Sequence, residues 1–232
     1  MQTIHELSTL DTFLGYVARD WWLVFLCWAK HGRCMCPGRH TKPNEIGKAP
    51  WLKDWPKLRL NAEGVRRMRQ AYPHANIGVL TEPSGLLDIA PDSAEWLAEF
   101  ERLGLPATFS YTSGGGEGHR HYLYQRPAGC PAAKINRSGE FDIQVSGLSV
   151  LPPSVHWSGV PYRCLTPPET PLPDGPAWAV DMLQGAAQQR VSATALVAAA
   201  TSDEPPVRLS TGFRKFVALS TPSVASWPNA GP

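Results

Sequence analysis

A mixed α/β fold, of the α+β type, is predicted by two features of this 232-residue sequence. Segments with apolar residues at helical spacing alternate with short β-type runs: Leu10, Phe13, Leu14 and Val17 mark a helical face, and Trp22-Leu23-Val24-Phe25-Leu26 is continuously apolar. Between such segments glycine and proline punctuate the chain. The 20 glycines and 23 prolines cluster in loops and in the C-terminal third, which predicts many connections around a compact middle and a poorly folded tail. With 43% hydrophobic residues, the chain can build one large core or two small ones.

Taken in order, a helix from Thr9 leads into the strand at 22–26, and a Gly/Pro/Cys-rich loop runs from His31 to Pro50. Asn61 caps a helix through Ala71, and Pro73 stops it. Strands follow at 76–80 and 85–89, joined by a turn at Ser84-Gly85, and together they read as a hairpin. Ser93 caps a helix to about Leu103 with Trp96, Leu97 and Phe100 buried. Beyond the glycine-rich turn at 113–118, strands fall at 121–124, 140–145 and 149–151, with Tyr162-Arg163-Cys164 as a short edge strand. Residues 167–176 form a proline-rich connector, 178–200 an alanine-rich helix, and the remainder a partly ordered linker.

Composition narrows the function classes. A formal net charge of +2 gives no strong global attraction to nucleic acid, so any such binding needs a local basic surface. No apolar run reaches the length of a membrane span, since Lys30 interrupts the stretch from Trp21, and no secretory signal leads the chain. A cytoplasmic protein without a membrane partner is expected. Five cysteines, an odd number, make a poor disulfide framework and suit reduced thiols or metal ligands.

Acid, histidine, acid is the order of the residues suited to chemistry. Asp88 closes one short apolar run, His121 opens another, and Asp142 sits inside a third. If these strands are neighbours, the two carboxylates converge as oxygen ligands for Mg²⁺ or Mn²⁺, and a polyphosphate becomes the natural substrate. A two-metal site needs two or three carboxylates, however, and period-2 alternation puts Ala90 on the face of Asp88 where a second acid would stand. Alanine cannot ligate a metal. The glycine run Ser113-Gly114-Gly115 offers backbone N–H groups to an anion, and His121 beside it can contact phosphate. Lys134 and Arg137, read as loop residues, are further candidates for a triphosphate.

Two other groups stand out. His31, Cys34, Cys36 and His40 form a compact set with zinc-ligand chemistry, against the alternative of free thiols in a flexible loop. Cys27, Cys130 and Cys164 read as core or strand cysteines. Arg66, Arg67 and Arg69 make a basic cluster that is either a solvated face or a phosphate contact.

The order of motifs resembles the bifunctional primase-polymerase domain of the archaeo-eukaryotic primase superfamily, found in phage and plasmid replication proteins. It is carried from Trp22 to Cys164 by Gly47-Lys48-x-Pro50, Ala75-Asn76-Ile77-Gly78-Val79, the Asp88 strand, Ser113-Gly-Gly before His121, the Asp142 strand, and Val150-Leu-Pro-Pro-Ser154-x-His156 with Gly159 and Tyr162. The resemblance implies an RRM-like mixed sheet bearing the acids, a small N-terminal α/β unit to about residue 75, a catalytic core over 76–166, and a helical tail over 177–232. It implies metal ligation by Asp88 and Asp142, and nucleotide contacts from Ser113, Gly114, Gly115, His121, Lys134, Arg137, Ser154 and His156. The implied partners are a single-stranded DNA template, contacted by Lys48, Arg66, Arg67 and Arg69, nucleoside triphosphates and a C-terminal helicase of the same protein. At Ala90 the family pattern has Asp or Glu. Either the protein is a natural inactive relative or an engineered alanine blocks catalysis, and the intact remainder of the pattern favours the second. Competing readings are a non-catalytic single-strand-binding module that recruits a helicase, and a metal-dependent nuclease that shares the carboxylates.

Overall fold

Backbone pairing sorts the strands into two principal sheets, and helices cover what the sheets leave apolar. The computed structural model describes residues 9–116 and 118–201; the linker expected beyond Thr201 lies outside the described residues. The elements are α1 (Thr9–Ala18), β1 (Leu23–Leu26), β2 (Ala29–Lys30), β3 (Arg33–Cys34), α2 (Ala62–Ala71), β4 (Asn76–Leu80), β5 (Leu86–Pro91), α3 (Ala94–Leu103), β6 (Phe109–Thr112), β7 (Arg120–Gln125), β8 (Lys134–Arg137), β9 (Phe141–Gln144), β10 (Leu148–Leu151), β11 (Arg163–Cys164) and α4 (Ala177–Thr201). The fold is α+β. Residues up to Val191 form one compact unit, and the second unit, 192–232, is described only as the end of α4. Among the described residues no helix is long and apolar enough to cross a membrane.

The helix starts follow local chemistry. Asn61 accepts the Gly64 N–H at 2.8 Å and Ser93 accepts the Trp96 N–H at 3.3 Å, each satisfying a donor that the first helical turn cannot. Every ladder between these strands is antiparallel, as the register of each neighbouring pair shows. One sheet runs β1-β4-β10, the other β11-β6-β7-β5-β9-β8, and β2-β3 form a small ribbon.

The expected hairpin of β4 with β5 is not formed. β4 is flanked by β1 and β10, while β5 lies between β7 and β9 in the other sheet. Both edges of each strand are therefore already paired, and the connection through Gly85, at φ +65°, carries the chain from one sheet to the other. Lys134 and Arg137, expected in a loop, lie on β8, where pairing with β9 satisfies the backbone.

Alternation along β5 divides the core in two. Leu87 and Ile89 point to a layer completed by Phe100 of α3, Tyr124, Phe141, Ile143, and Ala179 and Leu183 of α4. Against the opposite face, Leu86, Phe109, Tyr111 and Leu123 pack with β1, β4 and β10 and with Phe13 and Tyr16 of α1. Phe100 is the hub of the first layer: its ring lies 5.2 Å from Phe141 and 5.0 Å from Trp178, the latter stacked. Phe100→Ala should lower the unfolding free energy by about 3–5 kcal/mol, measured by urea denaturation. A loss below about 1 kcal/mol would mean that the layer is not packed through this ring.

Candidate active site

β5 sits mid-sheet, so anything on its polar face is bracketed by β7 and β9. Direct pairing sets Asp88 opposite Gln144 and Ala90 opposite Asp142 on β9; on β7, Asp88 faces Leu123, and one more step of that register puts Ala90 beside His121. Opposed residues share a face, so positions 88, 90, 121 and 142 all lie on one side of the sheet. Ala90 occupies the middle of this group. The alternation continues past the strand end to Asp92, whose N–H donates to the Glu140 carbonyl at 2.8 Å.

Asp88 is fully buried and its carboxylate is fully engaged. It accepts hydrogen bonds from the Ser149 hydroxyl of β10 and from Gln144 Nε2 at 3.3 Å, and His121 Nδ1 lies 3.0 and 3.2 Å from its two oxygens. Burial alone would raise the Asp88 pKa, but the imidazole and these hydrogen bonds outweigh it and hold the group below the usual carboxylate range. Burial likewise opposes charge on His121, and Asp88 overcomes it, so the histidine pKa is raised. The ring also stacks on Tyr111, centroids 4.9 Å apart. With Nδ1 committed to Asp88, Nε2 is the nitrogen available to a ligand.

A cavity of about 270 Å³ opens on this face, lined by Lys48, Ala90, Asp92, Ser113, Gly115, His119, His121, Asp142, His156 and Tyr162. Its walls carry both signs of charge. Asp92 lies 3.2 Å from His119, and Asp142 accepts from the Asn136 amide with Lys134 Nζ at 3.5 Å. His156 is neutral at physiological pH, because burial, with Lys48 and His119 nearby, lowers its pKa to about 4. Ser158 engages His156 Nδ1 through its hydroxyl at 2.8 Å and its N–H at 3.4 Å. The glycine turn is shaped by crowding: a Cβ on Gly114 would lie 2.2 Å from His156 Cβ, and one on Gly115 would lie 2.4 Å from His119 Nδ1. A slightly larger cavity, about 310 Å³, is lined by Arg19 and Arg126, but those guanidiniums are committed to the carbonyls of Pro168, Thr170 and Cys130.

Of the residues singled out from sequence, Ala90, Ser113, Gly115, His121, Asp142 and His156 meet at this cavity, with Gly114 packed behind it. Asp88 is behind it too, sealed from solvent. Lys48, expected at a template surface, lines the cavity instead. Ser154 does not line it, because its hydroxyl accepts the Ile77 N–H at 2.9 Å and donates to the Ile77 carbonyl at 3.1 Å, locking the 152–162 turn to β4. Arg137 pairs with Glu140 at 3.7 Å and lies over Phe141, away from the cavity. The basic cluster on α2 is split: Arg66 and Arg67 are exposed, whereas Arg69 turns over the Phe13 ring and donates to the Ala75 carbonyl.

Asp92, His119 and Tyr162 were missed as site residues. The signal for the first was present, since 88, 90 and 92 share one period, but Pro91 reads as the end of the strand. The metal-type cluster is corrected in one member. It consists of Cys27, Cys34, Cys36 and His40, while His31 sits exposed at the tip of the β2-β3 ribbon, where it and Gly32 both have positive φ. Spacing favoured the nearer histidine; pairing of Ala29 with Cys34 folds the chain back onto Cys27 instead.

The Asp88–His121 pair fixes the sign of a pH dependence. The lowered Asp88 pKa contributes stability that is present above the ordinary carboxylate range and lost as pH falls through its folded value. The raised His121 pKa contributes stability that is fully present below the ordinary 6.5 and lost as pH rises through its folded value. NMR titration of the His121 imidazole should give a pKa above 6.5 in the parent chain and a lower one in Asp88→Asn, where burial loses its main counterweight. Equal values in the two proteins would contradict the pairing.

Residues 14–178 match the family model described as the bifunctional DNA primase/polymerase, N-terminal domain, Prim-Pol. A search of the curated proteins found no match. The matched stretch is well over half of the chain and contains every residue of the cavity. By that match the chain belongs to the bifunctional DNA primase/polymerase family, whose members are nucleotidyltransferases acting on DNA and nucleotides.

Proposed function

We propose that this chain is a template-dependent primase-polymerase domain of a replication protein, with a nucleotide-binding cavity whose metal site lacks one acid. The observation that carries the reading is the mixed lining of the cavity: the carboxylates of Asp92 and Asp142 together with Lys48, His119, His121 and His156. A nucleoside triphosphate with a hard divalent cation presents the complementary charges. In this reading the 3′-hydroxyl of the growing strand attacks the α-phosphate and pyrophosphate leaves. Lys48, His119 and His121 Nε2 bind phosphate oxygens, neutral His156 donates a hydrogen bond, and Asp88 acts as a positioning residue that orients His121 and favours its charged form.

The oxygen donors of Asp92 and Asp142 fit Mg²⁺ or Mn²⁺ in the cavity, where position 90 would supply the next acid. Bound there, the cation would supply charge neutralisation for the leaving pyrophosphate and alignment of the attacking hydroxyl. Asp88 was expected to be a ligand by resemblance; its four hydrogen-bonding contacts and zero exposure favour the positioning role. The family resemblance supplies the rest of the proposal: a single-stranded template, a C-terminal helicase partner, and Ala90 in place of a family acid. A second reading, a non-catalytic single-strand-binding module, is favoured by one observation, the alanine itself.

Ala90→Asp or Ala90→Glu should raise Mn²⁺-dependent nucleotide incorporation on a primed single-stranded template by orders of magnitude. Asp142→Asn in the same background should abolish the gain. The restored acid stands next to Asp142, so Mn²⁺ should also raise the melting temperature of the variant more than that of the parent chain. No gain in incorporation with either acid would favour the binding module.

A further inference from the structure

The loop between β1 and the cavity has almost nothing of its own to hold it. From His31 to Glu45 only Cys36 is buried, and Met35 is half exposed. A segment of this length with no core is uncommon in a compact unit without some internal constraint. Four donor atoms meet at its base. Cys27 Sγ lies 3.0 Å from Cys34 Sγ, which lies 3.3 Å from Cys36 Sγ; His40 Nδ1 lies 3.4 Å from Cys36 Sγ and 3.6 Å from Cys34 Sγ. All four lie within 4.8 Å of one another, and none of the cysteines is in a disulfide.

We infer that Cys27, Cys34, Cys36 and His40 form a closed structural zinc site that holds the 31–50 loop and so sets Lys48 at the nucleotide cavity. Three thiolates and an imidazole are soft and borderline donors, the set that tetrahedral zinc takes. Zinc–ligand bonds of about 2.0–2.3 Å place tetrahedral donors roughly 3.3–3.8 Å apart; three of the four contacts here, at 3.3, 3.4 and 3.6 Å, fall in that range, and the Cys27–Cys34 pair, at 3.0 Å, lies just below it. Ligation displaces the three thiol protons to solvent. Four protein donors leave no open position, so the site is structural. The cluster is tied to the cavity through a short path: the Cys27 N–H donates to the Ala49 carbonyl at 2.8 Å, Leu26 bridges to Pro50, and the Gly47 carbonyl accepts from Asn76 Nδ2 at 2.8 Å, with Lys48 held between these anchors. A metal clip at one end and the β4 side chain at the other fix the segment that carries the lysine. Only the link to Lys48 rests on the nucleotide reading; the metal site does not.

The test uses the full chain purified under reducing conditions with zinc present. Elemental analysis should give one zinc per chain, and cobalt(II) in its place should give the visible spectrum of a tetrahedral thiolate site. Cys36→Ser and His40→Ala should weaken zinc retention against a chelator by at least about tenfold, whereas His31→Ala and Cys130→Ser should keep it. Stripping zinc from the unmodified chain should speed tryptic cleavage after Arg39 at least about tenfold, a readout that stands even where Cys27→Ser fails to fold. Substoichiometric zinc with three thiols freely labelled, a Cys27–Cys34 disulfide, or equal loss of metal from His31→Ala would overturn the site. Nucleotide affinity of the stripped and dialysed chain, measured with Mn²⁺ restored, should fall several-fold; unchanged affinity would overturn the link to Lys48. A chain that holds zinc yet binds no nucleotide upholds the metal site and counts against the primase-polymerase reading alone.

Discussion

A carboxylate with no access to water holds this fold and its cavity together. Asp88 stands on the central strand of the larger sheet, and its partners come from three other strands: His121 on β7, Gln144 on β9 and Ser149 on β10 of the smaller sheet. Burying an ionised carboxylate is costly, and only a full set of partners offsets the lost hydration. The arrangement therefore works as a register lock. Slipping β5 by one residue would put Leu87 or Ile89 among the polar partners and turn the aspartate into the apolar layer of Phe100 and Phe141.

The same lock explains why the cavity lies where it does. Alternation leaves 88, 90 and 92 on one face, with the first sealed by β10 and the others reaching the open end of the sheet. The turn after β10 brings His156 to that end, where it and His119 line the same cavity. Burial, with Lys48 and His119 nearby, lowers the His156 pKa to about 4, while Asp88 raises that of His121. Two imidazoles in one cavity are thus shifted in opposite directions, an arrangement that suits separate contacts to a phosphate chain.

Much of this was legible in the sequence, and the parts that were not have physical reasons. Asn61 and Ser93 announce α2 and α3 because a capping side chain is a local event, and the strands at 22–26, 76–80 and 141–144 announce themselves by composition. Pairing is not local. The two short strands around Ser84-Gly85 look like a hairpin, and only the competition of β1, β7, β9 and β10 for their edges separates them. Asp92 was obscured by the proline before it, Ser154 by a motif that does not distinguish a hydroxyl facing a ligand from one facing β4, and Cys27 by its position inside an apolar run. His31 was the better candidate by spacing and the worse one by the turn that points it away.

The account stands most directly on where a nucleotide sits. Crystals soaked with Mn²⁺ and a non-hydrolysable nucleoside triphosphate should show phosphate density against Lys48, His119 and His121 Nε2, with the manganese anomalous peak at Asp92 and Asp142, and Asp88 still bound to His121 and Ser149. Phosphate density in the cavity of Arg19 and Arg126, or a manganese peak on Asp88 with His121 released from it, would contradict the account.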